Sequence, residues 1–511
     1  MPLIHDIAGR RSSRPQRGHI VQSIHSGIAG LGLIAALGLS GAASAQTDDR
    51  IVTKQYEDGG VYEGTFQNGR QSGTGTYRMP NGYEYTGEWR DGRIAGQGTA
   101  RFPDGSVYRG SFADGKPEGR GTITFADGGT YEGDWKDGTI DGTGVAVYAD
   151  GTRYEGGFRN ARHHGKGRME GPGGYVYDGD WVDGVKDGAG TITYPDGAVY
   201  EGQLVRGARE GRGTLTMTDG LVYEGDWQAG EITGQGTLTQ PGGDVYTGAL
   251  SGGKRQGQGR VDYANGDTYE GGFVADRREG TGTFTGADGY AYTGEWAAGR
   301  IAGQGRASYP DGSVYEGQFR DDVADGTGRI TYADGNTYEG GWSNGVIEGE
   351  GRATYANGST YEGGFRNARN HGQGTMTHAD GYTYTGGWKD GKRHGKGIAT
   401  YPDGTVYDGD FADGLRQGQG TITLPDGFTY TGSWSGGEMD GEGIATYANG
   451  DVYEGAFAQG QRQGQGTIRY ATGETVSGEW RQGDLANPAA DDAARTGSGT
   501  ETAETGQPAD R

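Results

Sequence analysis

The sequence predicts an all-β protein, an elongated single-layer antiparallel sheet of stacked 23-residue β-hairpins with disordered termini. A Tyr recurs every 23 residues from Tyr62 to Tyr453 without insertion or deletion, which gives eighteen full repeats. In every repeat the third, twelfth, fourteenth and twenty-first residues are Gly. A fixed period of this length is typical of repeat architectures, so it governs how the remaining features are interpreted.

The composition excludes several thick globular cores. Hydrophobic residues make up only 31% of the 511 residues, and Gly alone accounts for 112. This composition, considered without regard to the order of the residues, would favour disorder, but the strict period argues against disorder. Because Gly does not fall at every third residue and Pro numbers only 13, a collagen helix is also excluded.

Two segments with a period of two predict one hairpin in each repeat. In residues 177–199, Tyr177, Gly179 and Trp181 alternate with acidic residues, and a second alternating segment runs from 188 to 194. Asp-Gly pairs at 183–184 and 196–197 predict the two reversals, since both residue types tolerate positive backbone φ. At a strand spacing of about 4.8 Å, thirty-six strands would span on the order of 170 Å.

Aromatic rings and glycines are expected to form a thin core on one face of this sheet. All nine Trp occupy the fifth position of a repeat, on the same face as the opening Tyr. A ring can lie flat across a neighbouring strand where no Cβ intervenes, so a second layer becomes unnecessary. The other face is expected to carry Asp, Glu and Thr.

The chain divides into a repeat array and flanking segments. Residues 46–61 and 476–483 are each predicted to be a half-repeat cap around the eighteen repeats at 62–475, and 484–511 is predicted to be a disordered acidic tail. Matching motifs that are 207 residues apart indicate two nine-repeat blocks, 62–268 and 269–475.

The first 45 residues have the features of a signal peptide. Four arginines precede an apolar stretch from Ile28 to Leu39, and small residues around Ala45 predict cleavage after it. An uncleaved signal that tethers the chain to the inner membrane is the alternative, although the apolar stretch is short for a membrane span. The expected location is therefore periplasmic or extracellular.

The charge and the lack of Cys narrow the possible partners. The formal charge is −23 for the whole chain and −26 without the predicted signal. Nucleic acid is not expected as a partner, and charge does not favour membrane contact. With no Cys, neither disulfides nor thiolate metal sites are possible.

The pattern YEGxWxxGxxxGxGxxxYxDG, as in residues 131–151, closely resembles the MORN (membrane occupation and recognition nexus) repeat. The resemblance covers nearly all of residues 51–483. It implies a sheet of hairpins with an aromatic groove, used for scaffolding, self-association and sometimes membrane contact. The chain departs from the pattern, with softer spots expected, at Leu204, Leu250, Val476, Gly173, Gly242 and Thr472.

Sixteen aromatic side chains are either structural or candidate groove residues. They are the first and fifth residues of eight repeats: Tyr85, Trp89, Tyr131, Trp135, Tyr177, Trp181, Tyr223, Trp227, Tyr292, Trp296, Tyr338, Trp342, Tyr384, Trp388, Tyr430 and Trp434.

Chemical sites are not expected. His164, His371 and His394 are whole repeats apart, with only His163 adjacent to one of them, so converging metal ligands are lacking. His378 takes a position where most repeats have an aromatic. A recurring Glu after the opening Tyr is typical of a solvated surface rather than of an acid and base pair. No cofactor, metal or catalytic residue is predicted.

The leading hypothesis is a non-catalytic scaffold of the bacterial cell envelope that binds unknown protein partners or copies of itself. The alternative is a carbohydrate-binding module that stacks cell-wall glycan on the aromatic groove. A second alternative is a membrane-associated, lipid-binding repeat protein.

Overall fold

The structure, a computed structural model, describes residues 47–486. The predicted signal peptide with its cleavage site lies outside the described residues, and so does nearly all of the predicted acidic tail. The chain divides into two units between Ala287 and Asp288, within the tenth repeat. Each unit is described by itself.

From residue 47 onwards, the first unit contains 21 strands and one short 3-10 turn at Pro172–Gly174. The strands are β1 Thr47–Gln55, β2 Val61–Gln67, β3 Arg70–Arg78, β4 Glu84–Arg90, β5 Arg93–Arg101, β6 Val107–Ala113, β7 Lys116–Thr124, β8 Thr130–Lys136, β9 Thr139–Val147, β10 Arg153–Arg159, β11 Arg162–Glu170, β12 Val176–Val182, β13 Val185–Thr193, β14 Val199–Val205, β15 Ala208–Thr216, β16 Val222–Gln228, β17 Glu231–Thr239, β18 Val245–Ser251, β19 Lys254–Asp262, β20 Thr268–Val274 and β21 Arg277–Thr285.

The part of the second unit that the structure describes, up to residue 486, contains 18 strands. They are β22 Ala291–Ala297, β23 Arg300–Ser308, β24 Val314–Arg320, β25 Val323–Thr331, β26 Thr337–Ser343, β27 Val346–Thr354, β28 Thr360–Arg366, β29 Arg369–Thr377, β30 Thr383–Lys389, β31 Lys392–Thr400, β32 Val406–Ala412, β33 Leu415–Thr423, β34 Thr429–Ser435, β35 Glu438–Thr446, β36 Val452–Ala458, β37 Gln461–Arg469, β38 Thr475–Arg481 and β39 Asp484–Leu485.

Within each unit every strand pairs antiparallel with the next strand in sequence, so the sheet has one layer and hairpin order. The predicted all-β class and the 23-residue hairpin are confirmed. The described strands also extend past the predicted end of the C-terminal cap, because β39 pairs with β38 at Trp480 and Arg481.

Two kinds of reversal alternate along the sheet. Inside a hairpin, Asp183 and Gly184 both have positive φ (48° and 88°), as a two-residue type I′ turn requires. Between hairpins, the amide of Tyr194 donates to the carbonyl oxygen of Ala198 at 2.8 Å. The Asp196 carboxylate accepts the amide of Ala198 at 3.1 Å. These local bonds place Asp and Gly at the predicted turns.

The opening Tyr of each repeat covers two glycines, as the sequence predicted. Gly179 and Gly190 are register partners on β12 and β13, and the ring of Tyr177 lies over both of them. A Cβ built on Gly190 would lie 2.5 Å from Cε2 of Tyr177, too close for any side chain. The third and fourteenth residues are therefore Gly because the ring occupies the space of a side chain.

The invariant twelfth Gly has a different cause. Gly188 adopts a φ of 117°, in the region that favours glycine, where the pairing of β12 with β13 shifts register. The same residue lies opposite Leu204 of the following hairpin. The register therefore shifts at a bulge inside the hairpin, whereas the pairing with the following hairpin is regular.

Fifth-position rings join successive hairpins. The ring of Phe158 packs edge-on against Tyr154 of its own repeat and against Tyr131 of the preceding repeat, with centroids 5.0 Å apart in both pairs. The indole nitrogen of Trp181 donates to the carbonyl oxygen of Gly167 in the preceding hairpin at 3.0 Å. The core is therefore a row of alternating rings on one face of the sheet.

We expect Gly190→Val to destabilise the protein far more than Thr191→Val, although the two positions are adjacent and the introduced side chain is the same. Valine at 190 must displace the Tyr177 ring, whereas residue 191 is on the opposite face. The expected losses are roughly 3 kcal/mol and under about 0.5 kcal/mol of unfolding free energy. Denaturant unfolding measures both. Equal losses would contradict the ring-over-glycine arrangement.

We also expect unfolding at high pH. Burial raises the pKa of Tyr62 and of Tyr200 from 10.0 to about 12, and the other first-position tyrosines shift in the same direction. Because the folded state keeps these phenols protonated, it is stabilised below pH 10 and loses that stability as the pH rises towards 12. Tyrosinate absorbance and circular dichroism should change together in this window. The control is the protein in denaturant, where titration should centre near 10; the same curve for folded protein would contradict the prediction.

Candidate functional site

The sixteen candidate groove aromatics, eight in each unit, lie on one face of the sheet of their own unit, but their ring faces are covered. The tyrosines among them are at most 2% exposed and the tryptophans at most 9%, apart from the half-buried Trp342. The tyrosine and tryptophan of each repeat pack edge-on against each other, as Tyr177 does against Trp181, and most also contact a ring of an adjacent repeat. Each tyrosine hydroxyl donates to a backbone carbonyl, as Tyr177 does to Asp180 at 2.8 Å. These residues form the core and offer little ring surface to a ligand.

Basic side chains at the tenth position of many repeats lie across the rings. Cζ of Arg209 is 4.1 Å from the Trp227 ring centroid, and its Nη2 donates to the carbonyl oxygen of Gly230 at 2.8 Å. The guanidinium thus bridges one hairpin to the turn of the next while its stem covers aromatic surface. Residues with this placement over the rings are Lys186, Arg209, Arg255, Arg278, Arg393, Arg416 and Arg462.

This row was not predicted from the sequence, although its signal is visible there. The basic residues recur at multiples of 23, two positions before the twelfth Gly. In most other repeats the tenth residue is apolar, such as the buried Ile140 and Ile232, and in three it is Gln71, His163 or Asn370. The variety of residue types at this position, with Ile in some repeats and Arg in others, hides a single structural role, which is to cover the rings.

The histidines are placed in two ways. His163 stacks on Tyr154 at 3.7 Å, and its Nε2 is 2.6 Å from the hydroxyl of Tyr148. Burial lowers the pKa of His163 to about 3, so it is neutral at physiological pH. His164 and His371 instead lie 3.7 Å from the carboxylates of the turn residues Asp183 and Asp390.

His394 is buried at Nδ1 without a hydrogen-bond partner. Across residues 47–486, no three or more His, Asp or Glu side chains are grouped closely enough to hold a metal ion. The described histidines therefore do not converge on one site, and each contacts residues of its own or a neighbouring repeat.

The opposite, polar face of the sheet carries rows of cross-strand side-chain pairs, which we call ladders, rather than a row of acidic side chains alone. The second and fifteenth residues of neighbouring strands are register partners, as in Arg306 with Glu316, whose Nε and Oε1 atoms are 3.0 Å apart. Elsewhere the partners are threonines, as in Thr421 and Thr431 with hydroxyls 2.9 Å apart. Cross-strand pairs of this kind stabilise a sheet and keep its exposed face hydrated. Glu132 and the other Glu side chains of this row point to solvent.

The C-terminal end of the array replaces a missing ring. Val476 stands where other repeats have the opening Tyr. A Cβ built on Gly478 would lie 2.7 Å from Cδ1 of Leu485, so the leucine of β39 covers the glycine. Predicting the tail from composition alone could not reveal this contact.

Lys186 is expected to lower stability near neutral pH. Burial among Tyr175, Tyr177 and Trp181 lowers its pKa from 10.5 to about 8. The unfolded chain therefore binds more protons between about pH 8 and 10.5, and stability rises with pH across that window. Lys186→Met should raise the melting temperature at pH 7 by a few degrees, with a gain that shrinks towards pH 10.

The matched control is Lys166→Met, because the Lys166 side chain is 77% exposed. Its effect should be small and should vary little over the same pH range. If the melting temperatures of both variants depended on pH in the same way as that of the original protein, the inferred burial of the Lys186 ammonium would be wrong.

Residues 47–486 contain no helix with the length and apolar character that crossing a bilayer demands. Comparison with curated proteins finds no match.

Solved structures give only weak likeness. The TCP domain of Drosophila melanogaster SAS-4, in complex with a proline-rich motif of Ana2, is 13% identical, with 39% of this chain and 90% of that chain covered and a TM-score of 0.20. The TCP10 domain of Danio rerio CPAP is 16% identical, with 48% of this chain and 93% of that chain covered and a TM-score of 0.18. A streptogramin B lyase is 13% identical, with 58% of this chain and 91% of that chain covered and a TM-score of 0.11. Such scores carry no argument about fold or function.

A family model gives a decisive result. The model described as MORN repeat matches eighteen consecutive segments, at residues 62–82, 85–107, 108–130, 131–153, 154–174, 177–199, 200–222, 223–245, 246–268, 269–289, 292–314, 315–337, 338–360, 361–381, 384–406, 407–429, 430–452 and 453–475. These matches coincide with the hairpins described above. The chain belongs to the MORN repeat family.

Proposed function

We propose that this chain is a non-catalytic scaffold or spacer of the bacterial cell envelope that gathers protein partners or copies of itself. The observation that carries the proposal is the burial of the aromatic rows, which leaves a surface that repeats hairpin after hairpin. A repeated surface suits multivalent attachment, since each added contact raises the effective concentration of the next.

The alternatives receive less support. Sugar stacking needs exposed ring faces, and Tyr177 and Trp181 are 0% and 3% exposed. Membrane association through anionic lipid is disfavoured by the formal charge of −23. Neither argument applies to protein partners, which can pair with the ladders of the polar face.

Export belongs to the same proposal and rests on the first 45 residues of the sequence. The mature protein should begin at Gln46 and be recovered from the periplasmic or extracellular fraction. N-terminal sequencing of the purified mature protein tests this directly. A retained signal with membrane recovery would instead support tethering.

The scaffold role predicts specific crosslinks in the native envelope. Full-length tagged protein, crosslinked in its own cells, should capture a reproducible set of proteins or further copies of itself. The control carries Gly190→Val and Gly351→Val, which break ring packing in both units and should abolish captures that depend on the folded sheet.

Two outcomes would contradict the scaffold proposal. One is an identical capture set for the original and control proteins. The other is a saturable change in Trp fluorescence on titration with cell-wall glycan fragments, which would favour the carbohydrate-binding alternative. Sedimentation at several concentrations separates self-association from partner binding.

A further inference from the structure

Four side chains at the eighteenth position of successive repeats form a partly exposed row in the second unit. We name this row, Tyr309, Tyr332, Tyr355 and His378, the tyrosine strip. Tyr309 and Tyr332 are each 36% exposed, and Tyr355 and His378 are half-buried. These rings therefore differ from the opening tyrosines, whose faces are covered.

The strip is held in place by backbone bonds. Each of its residues opens the loop between two hairpins, and its amide donates to the carbonyl oxygen of the residue four positions later at 2.8 Å. The rings are thus fixed at one point in each hairpin. Because a hairpin comprises two strands, the pitch of the strip is about 9.6 Å.

A pocket of about 430 Å³ interrupts the strip between Tyr355 and His378. Asn357, Ser359 and Met376 also line it. Ser359 is 4% exposed, and its hydroxyl has no hydrogen-bond partner.

The repeat that contains Ser313 shows why this hydroxyl is unusual. Ser313 occupies the equivalent position, and its hydroxyl is 3.1 Å from the Asp311 carboxylate. In the later repeat Asn357 replaces the aspartate. A buried hydroxyl without a protein partner is uncommon, so the Ser359 side chain offers an open hydrogen-bond donor to a group that enters the pocket.

The pitch of the strip matches one kind of chain. A polyproline II helix advances about 9.3 Å per turn of three residues, so every third residue would meet the next ring. Aromatic rows with nearby hydrogen-bond donors are a known mode of recognising such helices, whose backbone carbonyls are all open to donors.

Charge further specifies the segment. Two residues after the strip residue, the turns carry exposed carboxylates at Asp311, Asp334 and Asp380. Three of the four hairpins of the strip thus carry an acidic group, which favours basic residues at the matching turns of the bound helix.

We propose that the tyrosine strip binds a proline-rich segment of a partner protein in the polyproline II conformation, with Lys or Arg at every third residue. Prolines pack on the rings, basic residues meet the turn carboxylates, and the Ser359 hydroxyl donates to a backbone carbonyl in the pocket. The inference rests on the proposed scaffold function and names the chemistry of one partner.

Fluorescence anisotropy of the full-length protein with a labelled peptide of five Pro-Pro-Arg repeats tests the proposal. Saturable binding is expected, and a flexible peptide of five Gly-Ser-Arg repeats with the same charge should bind at least tenfold more weakly, by about the cost of ordering it. Tyr332→Ala should weaken binding roughly tenfold. Tyr470→Ala, at the same repeat position but outside the strip, should leave it unchanged.

Two conservative variants examine the remaining contacts. Asp334→Asn keeps the oxygen that accepts the amide of Asn336 at 3.0 Å, and it should weaken binding and reduce its salt dependence. Ser359→Ala should weaken binding severalfold without lowering the melting temperature, since no internal bond is lost.

Several outcomes would overturn the strip assignment. They are no saturation by the Pro-Pro-Arg peptide, equal binding of the flexible peptide, an unchanged affinity for Tyr332→Ala, or binding of cell-wall glycan fragments that Tyr332→Ala abolishes. Such a result beside specific crosslinks in the native envelope would reject the strip alone and leave the scaffold proposal standing.

Discussion

A tyrosine ring that rests on two glycine backbones is the interaction on which the rest of this protein depends. Tyr177 lies over Gly179 and Gly190, and the same contact recurs in each full repeat. A single-layer sheet ordinarily has an apolar face that a second layer must cover. Here the ring is both the apolar side chain and its cover, because the missing Cβ atoms let it lie close to the backbone. Gly, which weakens an ordinary strand, becomes necessary at these two positions.

The fifth-position ring turns separate hairpins into a continuous core. Phe158 contacts Tyr131 and Tyr154, so the repeat that contains Phe158 shares its core with the preceding one. Stability in such an array is a sum of repeat and nearest-neighbour terms. Within residues 47–486 the first and last strands are then the weak points, since each pairs with one strand only. Leu485 over Gly478 shows how the C-terminal end compensates, with an aliphatic side chain in place of a ring.

The sequence predicted much of this fold because the period is strict and each hairpin is local. Rings, turns and the glycines at 179 and 190 followed from alternation and from the space that a ring needs. The bulge at Gly188 did not, because it depends on the register between strands rather than on alternation within one. The row that contains Arg209 was missed for another reason. Basic and apolar residues share one structural role at the tenth position, so a pattern of residue types does not show that they are equivalent.

Function is harder to predict because the most prominent residues are used for folding. The rings of Tyr177 and Trp181 suggested a groove in the sequence, yet burial leaves them almost no surface to recognise anything. Positions that are the same in every repeat therefore specify the hairpin. Selectivity for a partner must come from positions that differ between repeats and reach solvent, and the eighteenth position has both properties. Its change from Tyr355 to His378, beside the unsatisfied hydroxyl of Ser359, makes one stretch of an otherwise uniform surface chemically distinct.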